Sequence, residues 1–176
     1  QMPPLRANKG AYYEGGIRVP LVMVWPGEIE KGSSCDQPVS NIDFYPTLLE
    51  AAGIEAPNQK ILDGASLMPA LKGNRLENRH LFWHFPVYLQ AYKVGVNKDL
   101  PDPYFRTRPG SVIMKGPWKL HQFFEDGRVE LYHLGIDIEE RKDLSNIYKE
   151  KTRELLKELE KWREKTKAPV PEKINP

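Results

Sequence analysis

The chain has 176 residues, enough for one ordinary domain or two small ones. Lys and Arg number 26 against 24 Asp and Glu, for a net charge of +2, which argues against a dedicated nucleic-acid or acidic-membrane binder. One cysteine, Cys35, excludes an internal disulfide framework, and the longest apolar run falls far below the roughly 20 residues of a membrane span. The first residues, Gln1-Met2-Pro3-Pro4, are not those of a signal peptide.

Sixteen prolines are spread over turn-like positions, which predicts short elements joined by fixed turns. Residues 5–16 hold three glycines and read as a loop whose backbone can approach a ligand or another segment closely. Ile17–Trp25 is apolar and β-branched, which predicts a strand buried on both faces. Such a strand needs neighbours, and the first half of the sequence offers no clear second one. That points to a piece of something larger. Pro46 fits only the first turn of a helix, so Asp43 is the expected N-cap and Gly53 the left-handed terminus. Phe44, Leu48, Leu49 and Ala52 would form its apolar stripe. A short helix is expected at Ser66–Leu71, closed by Gly73.

The pattern then changes. Leu81–Phe85 is a strand-like aromatic run, and residues 86–110 read as a long loop. Ser111–Lys115, Trp118–Phe124 and Val129–His133 are strands separated by Gly116-Pro117 and Asp126-Gly127, which predicts an antiparallel meander. A helix over about Ile147–Lys165 presents Tyr148, Leu155, Leu159 and Trp162 on one stripe, which should pack on Trp118, Leu120 and Leu131. The domains are therefore expected at residues 1–75, part of an α/β layer, and 76–176, a small antiparallel sheet with a covering helix (α+β).

Few residues stand out chemically. Cys35 has no basic neighbour to activate it and reads as an ordinary loop thiol. The four histidines show no zinc spacing; His121 and His133 read as structural, while His84 ends an aromatic strand beside the long loop. Glu125-Asp126 and Glu139-Glu140 read as surface turn charges, and Glu154 pairs with Lys157 on a solvated helix face. Lys9, between Asn8 and Gly10 in the glycine-containing loop, is the sharpest candidate: its ammonium can serve an oxyanion. Arg106 and Arg108, with Tyr104, suit acidic groups and sugar faces near His84.

Ordered blocks along the chain carry a resemblance. Lys9-Gly10…Glu14-Gly15-Gly16-Ile17-Arg18-Val19-Pro20 is similar to the Lys-Gly…Glu-Gly-Gly-x-Arg-x-Pro segment of the sulfatases. Trp25-Pro26-Gly27, Asp43–Leu49 and Asp63–Leu67 continue the match, as does Glu130–Leu134 with Asp137 and Glu140. Leu81–Pro86 and Lys115–Leu120 resemble the bacterial, glycan-directed branch.

The resemblance implies an alkaline-phosphatase-like α/β fragment, hydrolysis of sulfate esters, and a periplasmic or secreted location. It implies calcium and a formylglycine nucleophile for the intact enzyme. The motif that makes that nucleophile, C-x-[PA]-x-R, is not matched by Cys35-Asp36-Gln37-Pro38-Val39. The chain then looks like the carboxy-terminal third of a sulfatase, inactive without its N-terminal partner segment. Lys9 would contact the sulfate, His84, Arg106 and Arg108 would line the substrate pocket, and the substrate would be a sulfated saccharide or aryl sulfate. The competing readings are a non-catalytic binding module and a phosphoesterase of the same superfamily.

Overall fold

The structure, a computed structural model, describes residues 4–57, 60–77, 79–91 and 105–172. Two compact units divide the chain: Gln1–Val19 with Arg79–Pro176, and Pro20–Asn78.

The first unit is built on an antiparallel four-stranded sheet of order β1-β4-β5-β6. Its strands are β1 (His80–Phe85), β4 (Gly110–Lys115), β5 (Trp118–Phe123) and β6 (Val129–His133). Glycines at positive φ make the two hairpin turns, Gly116 at 55° and Gly127 at 69°, as the Gly-Pro and Asp-Gly pairs predict. A separate ribbon joins β2 (Leu89–Ala91) to β3 (Phe105–Thr107), so strand structure enters both ends of the expected 86–110 loop. Residues 92–104, with Tyr104, lie outside the described residues.

Alternation along the strands gives the sheet two different faces. In register across the sheet run Phe82, Ile113, Leu120 and Leu131. This row packs under α4 (Lys149–Thr166), meeting Leu155 and Leu159, with Trp118, Leu156 and Trp162 around them. Phe82 and Trp162 stack at 4.6 Å, nearly parallel. The predicted packing of meander on helix is therefore present, Trp162 included. Fully buried Leu155 and Leu159 are each worth roughly 1.5–3 kcal/mol in transfer free energy. On the helix surface Glu154 bonds Lys151 and Lys115 rather than Lys157, because Lys115 projects from β4 to meet it.

The opposite face carries Met114, Lys119 and Tyr132 in one row and Val112, His121 and Glu130 in the next. Against it lies the glycine-containing segment, which ends in one helical turn, α1 (Glu14–Ile17).

The second unit holds a 3₁₀ turn (Asn41–Asp43) running into α2 (Phe44–Ala51), and α3 (Met68–Leu71). Gly53 and Gly73 close the two helices at φ 68° and 77°, as predicted. Asp43 does not cap α2 as expected: it ends the 3₁₀ turn, in helical conformation, and its carboxylate reaches back to the Ser40 N–H that opens that turn. Wholly buried, it accepts the N–H groups of Ser40 (2.7 Å) and Ala65 (3.0 Å), while Thr47 Oγ1 accepts that of Leu67 (2.8 Å). The buried side of α2 is thus Asp43 and Thr47. The expected apolar stripe is not the buried one: Leu48 is 66% exposed.

The strand expected over Ile17–Trp25 is also absent. Ile17 ends α1, and residues 18–25 form neither helix nor strand, with Val22 and Val24 more than four-fifths exposed. A strand exists only through a ladder to a neighbour, and the described residues supply none.

Candidate functional site

Lys9 sits at the tip of the segment 6–17, exposed, with half-buried Asn8 and Gly10 on either side. The fold of that segment explains its glycines. Gly15 donates its N–H to Arg6 O at 2.9 Å, and a Cβ there would lie 2.4 Å from the same oxygen. A Cβ on Gly16 would lie 2.1 Å from Ala11 O. The helical turn is therefore pressed against carbonyls of its own loop, a distance only glycine permits. Ala7, buried, takes φ 62°, and Gly10 takes φ 100°.

The loop reaches the β2–β3 ribbon. A Cβ on Gly10 would meet Leu89 Cδ2 at 2.5 Å and Arg106 Cδ at 3.3 Å. Two of the predicted site residues, Lys9 and Arg106, are thus carried by backbone segments in contact. An ammonium and a guanidinium brought to one oxyanion bind it by charge and by directed N–H donors, and here Gly10, beside Lys9, touches the Arg106 stem.

The other two are placed differently. Arg108 forms an ion pair with Glu125. His84 lies on the helix side of the sheet, the side opposite the Lys9 loop. Its Nε2 donates to Pro169 O (2.9 Å) and its Nδ1 faces Ser111 Oγ (2.7 Å), with Trp162 and Phe124 beside the ring. Burial pushes its imidazole below the ordinary value, against the pull of the Pro169 carbonyl, and Arg163 adds to the lowering. A carbonyl only accepts, so Nε2 bears the proton and Ser111 donates to Nδ1.

Beneath the loop is a charged cluster in the sheet's polar face. Lys119, 0% exposed, donates to Glu14 at 2.8 Å and approaches Glu140 at 3.0 Å. Glu140 Oε2 accepts the Glu14 N–H at 2.5 Å, and Oε1 lies 3.1 Å from His121 Nε2. Glu130 accepts the hydroxyls of Tyr13 (2.7 Å) and Tyr132 (2.9 Å). Arg6 donates to Tyr132 Oη and to Glu140 O, and lies 4.0 Å over the Tyr13 ring. Burial pushes both tyrosines well above the ordinary phenol value, so they donate as neutral hydroxyls. Burial lowers His121, offset in part by its bond to Glu140. For Glu140 burial opposes ionisation, but the His121 bond and the Lys119 charge outweigh it and hold the carboxyl below its usual range.

The expectation that Glu140 is a surface turn charge is thereby corrected: it is fully buried, because the N-terminal segment covers it. The strand alternation did carry a signal, since Lys119 and His121 share one face with Glu130 and Tyr132. What covers that face is set by residues more than 100 positions away.

Among the described residues no three His, Cys, Asp or Glu side chains form a group able to hold a metal ion. Glu14 and Glu140 enclose an ammonium instead. That cluster does not fit a metal ion, and the resemblance places the calcium ligands upstream of the matching residues. Cys35 is exposed, with Gln37 Nε2 3.6 Å from its sulfur. Among the described residues no helix is long and apolar enough to cross a membrane.

The family described as "N-sulphoglucosamine sulphohydrolase, C-terminal" matches residues 7–168, which take in the Lys9 loop, the sheet and α4. The chain belongs to the sulfatase family. A "Sulfatase" of Formosa agariphila is 39% identical over 147 residues, covering 80% of this chain and 25% of that protein. The mouse "Steryl-sulfatase" is 41% identical over 90 residues, 50% of this chain and 14% of its own length. The sulfatase chain thus spans about a quarter or less of these curated relatives. Among solved structures, Ps i-CgsB in complex with k-i-k-neocarrahexaose aligns with a TM-score of 0.71 at 27% identity, over 90% of this chain and 32% of that one. The fold is accordingly that of the alkaline-phosphatase-like sulfatases, here with the small antiparallel sheet and C-terminal helix.

Proposed function

We propose that this chain is the carboxy-terminal part of an enzyme that hydrolyses sulfate esters on glycans, and that it supplies cations to the sulfate site without completing it. The observation that carries this reading is the exposed Lys9 held on a glycine-tight loop against the Arg106 strand. Sulfate-ester cleavage builds negative charge on the sulfuryl and leaving oxygens, and fixed cations stabilise that charge. Sulfatases generally add a metal ion and a formylglycine. Residues outside this chain, in the rest of the polypeptide, would hold both, so the chain alone is inactive in this proposal. The glycan preference is supported by the blocks at Leu81–Pro86 and Lys115–Leu120 and by the saccharide named with Ps i-CgsB. A periplasmic or secreted location belongs to the same proposal. Unpaired residues 18–25, with apolar side chains in solvent, fit a partner formed by the rest of the same polypeptide.

The test is turnover of a sulfated saccharide and of a small aryl sulfate by the complete polypeptide and by its Lys9→Ala variant. Loss of one oxyanion partner should lower kcat by about 10²–10³-fold on both substrates. Wild-type turnover in the variant removes Lys9 from the site. No turnover by the complete wild-type polypeptide, together with saccharide binding, favours the non-catalytic module.

A further inference from the structure

The charged cluster under the Lys9 loop is more than a packing solution. Glu140 grips both ends of the segment whose tip is Lys9: its carbonyl accepts Arg6 at 2.7 Å and its carboxylate accepts the Glu14 N–H at 2.5 Å. Its own backbone is fixed at φ 53°, in a turn where Asp137 accepts the N–H groups of Arg141 and Lys142. Lys119 then ties the two carboxylates together, one from the loop and one from the turn. His121 is fully buried and places Nε2 3.1 Å from Glu140 Oε1. A buried ring bonded to a carboxylate fixes the direction of that carboxylate.

We propose that Glu140 and Lys119 are positioning residues for the sulfate site, setting the place of Lys9 through Glu14 and Arg6. The proposal rests on the sulfatase reading for its catalytic consequence and on geometry alone for its effect on the loop. Three donors converge on the Glu140 carboxylate: the Lys119 ammonium, His121 Nε2 and the Glu14 N–H. Glutamine has the same shape but one acceptor oxygen, so its NH₂ group must face a donor. The loop loses its seat while the apolar face under α4 is untouched.

The experiment uses the complete polypeptide with Glu140→Gln, Glu14→Gln, Lys9→Ala and the Lys9→Ala/Glu140→Gln double variant. Two readouts are amide hydrogen exchange and turnover of an aryl sulfate. Exchange within residues 6–17 should rise by about tenfold or more in Glu140→Gln, with β4–β6 and α4 still protected. Turnover should fall by about 10–100-fold, the size of a small misplacement of a catalytic group. The double variant should be no slower than Lys9→Ala, because Glu140 acts only through the loop. Independent, multiplying losses overturn the proposal, as does unchanged exchange in residues 6–17. If Glu140→Gln does not fold, Glu14→Gln decides by the same measurements from the loop side. General loss of protection in both variants, with residues 6–17 affected no more than β4–β6 and α4, also overturns the proposal, since the cluster would then act through global stability alone. If the complete wild-type polypeptide turns nothing over, the sulfatase reading fails separately and the exchange data alone judge the positioning role.

Discussion

The two faces of the four-stranded sheet use the same strands and opposite chemistry. Under α4 the contacts are Ile113, Leu120, Leu131, Leu155 and Leu159. Under the Lys9 loop they are Lys119, His121, Glu130 and Tyr132, meeting Arg6, Tyr13 and Glu14. What is laid on each face accounts for the contrast. A helix arrives with its backbone hydrogen bonds already made and asks only for an apolar surface. A loop arrives with backbone groups unmet, such as the Glu14 N–H, and a buried one requires polar partners from the surface beneath it. The side chains that meet this need carry charge, so the loop face is held by geometry and the helix face by area.

That contrast can be broken from the loop side first. Lys119→Met removes the shared cation and leaves Glu14 and Glu140 buried together, which should cost about 3–5 kcal/mol in urea unfolding. A variant within about 1 kcal/mol of wild type would mean the cluster is dispensable. From the helix side, Leu155→Ala opens a cavity at a 0% exposed position and should cost about 2–5 kcal/mol. Its effect on exchange in residues 6–17 should be no greater than on the sheet as a whole.

Acid should act on both faces next. Glu140 titrates below its ordinary 4.5 in the folded chain, so its contribution is present above that pH and is lost as pH falls through the lower folded value. His121 and His84 are likewise depressed from 6.5, so the folded state binds fewer protons than the unfolded one just below that pH. Stability should therefore fall with pH in two stages, first below about 6.5 and then below about 4.5. Thermal melts across pH 3–8 check this, and His121→Gln should remove its share of the first stage while leaving that of His84. His84→Ala sharpens the comparison further. The contacts to Ser111 and Pro169 predict a lower Tm with equal, small effects on saccharide and aryl sulfate turnover. A pocket role would cost the saccharide far more. The smallest effect belongs to the helix surface: Lys115→Ala removes half-buried pairs with Glu154 and Glu158 and should cost about 1 kcal/mol.

The helix face was legible in the sequence and the loop face was not. The stripe Leu155, Leu159 and Trp162 and the turns at Gly116 and Gly127 are local patterns, each complete within a few residues. The partners of Lys119 and Glu140 come from residues 6–14, and no local period links such distant positions. Residues 18–25 misled for the related reason that an apolar, β-branched run specifies readiness to pair, whereas a strand also needs a neighbour. The loop motif singles out Lys9, and its neighbour Gly10 packs on Leu89 and Arg106. His84 and Arg108 were inferred from nearness in sequence to the long loop, and the fold gives them Pro169, Ser111 and Glu125 as partners.

The pressed turn at Gly15 and Gly16 bears on how this segment can vary. Every other amino acid begins its side chain with a Cβ, and at both positions a backbone oxygen already lies within 2.4 Å of where that atom would be. Relief would require the loop to unwind, whatever side chain followed. In a saturation library sorted only for soluble protein in cells, these two positions should therefore accept nothing, while Lys9, exposed at the tip, should accept nearly everything. Sorting the same library for turnover should reverse the standing of Lys9 alone.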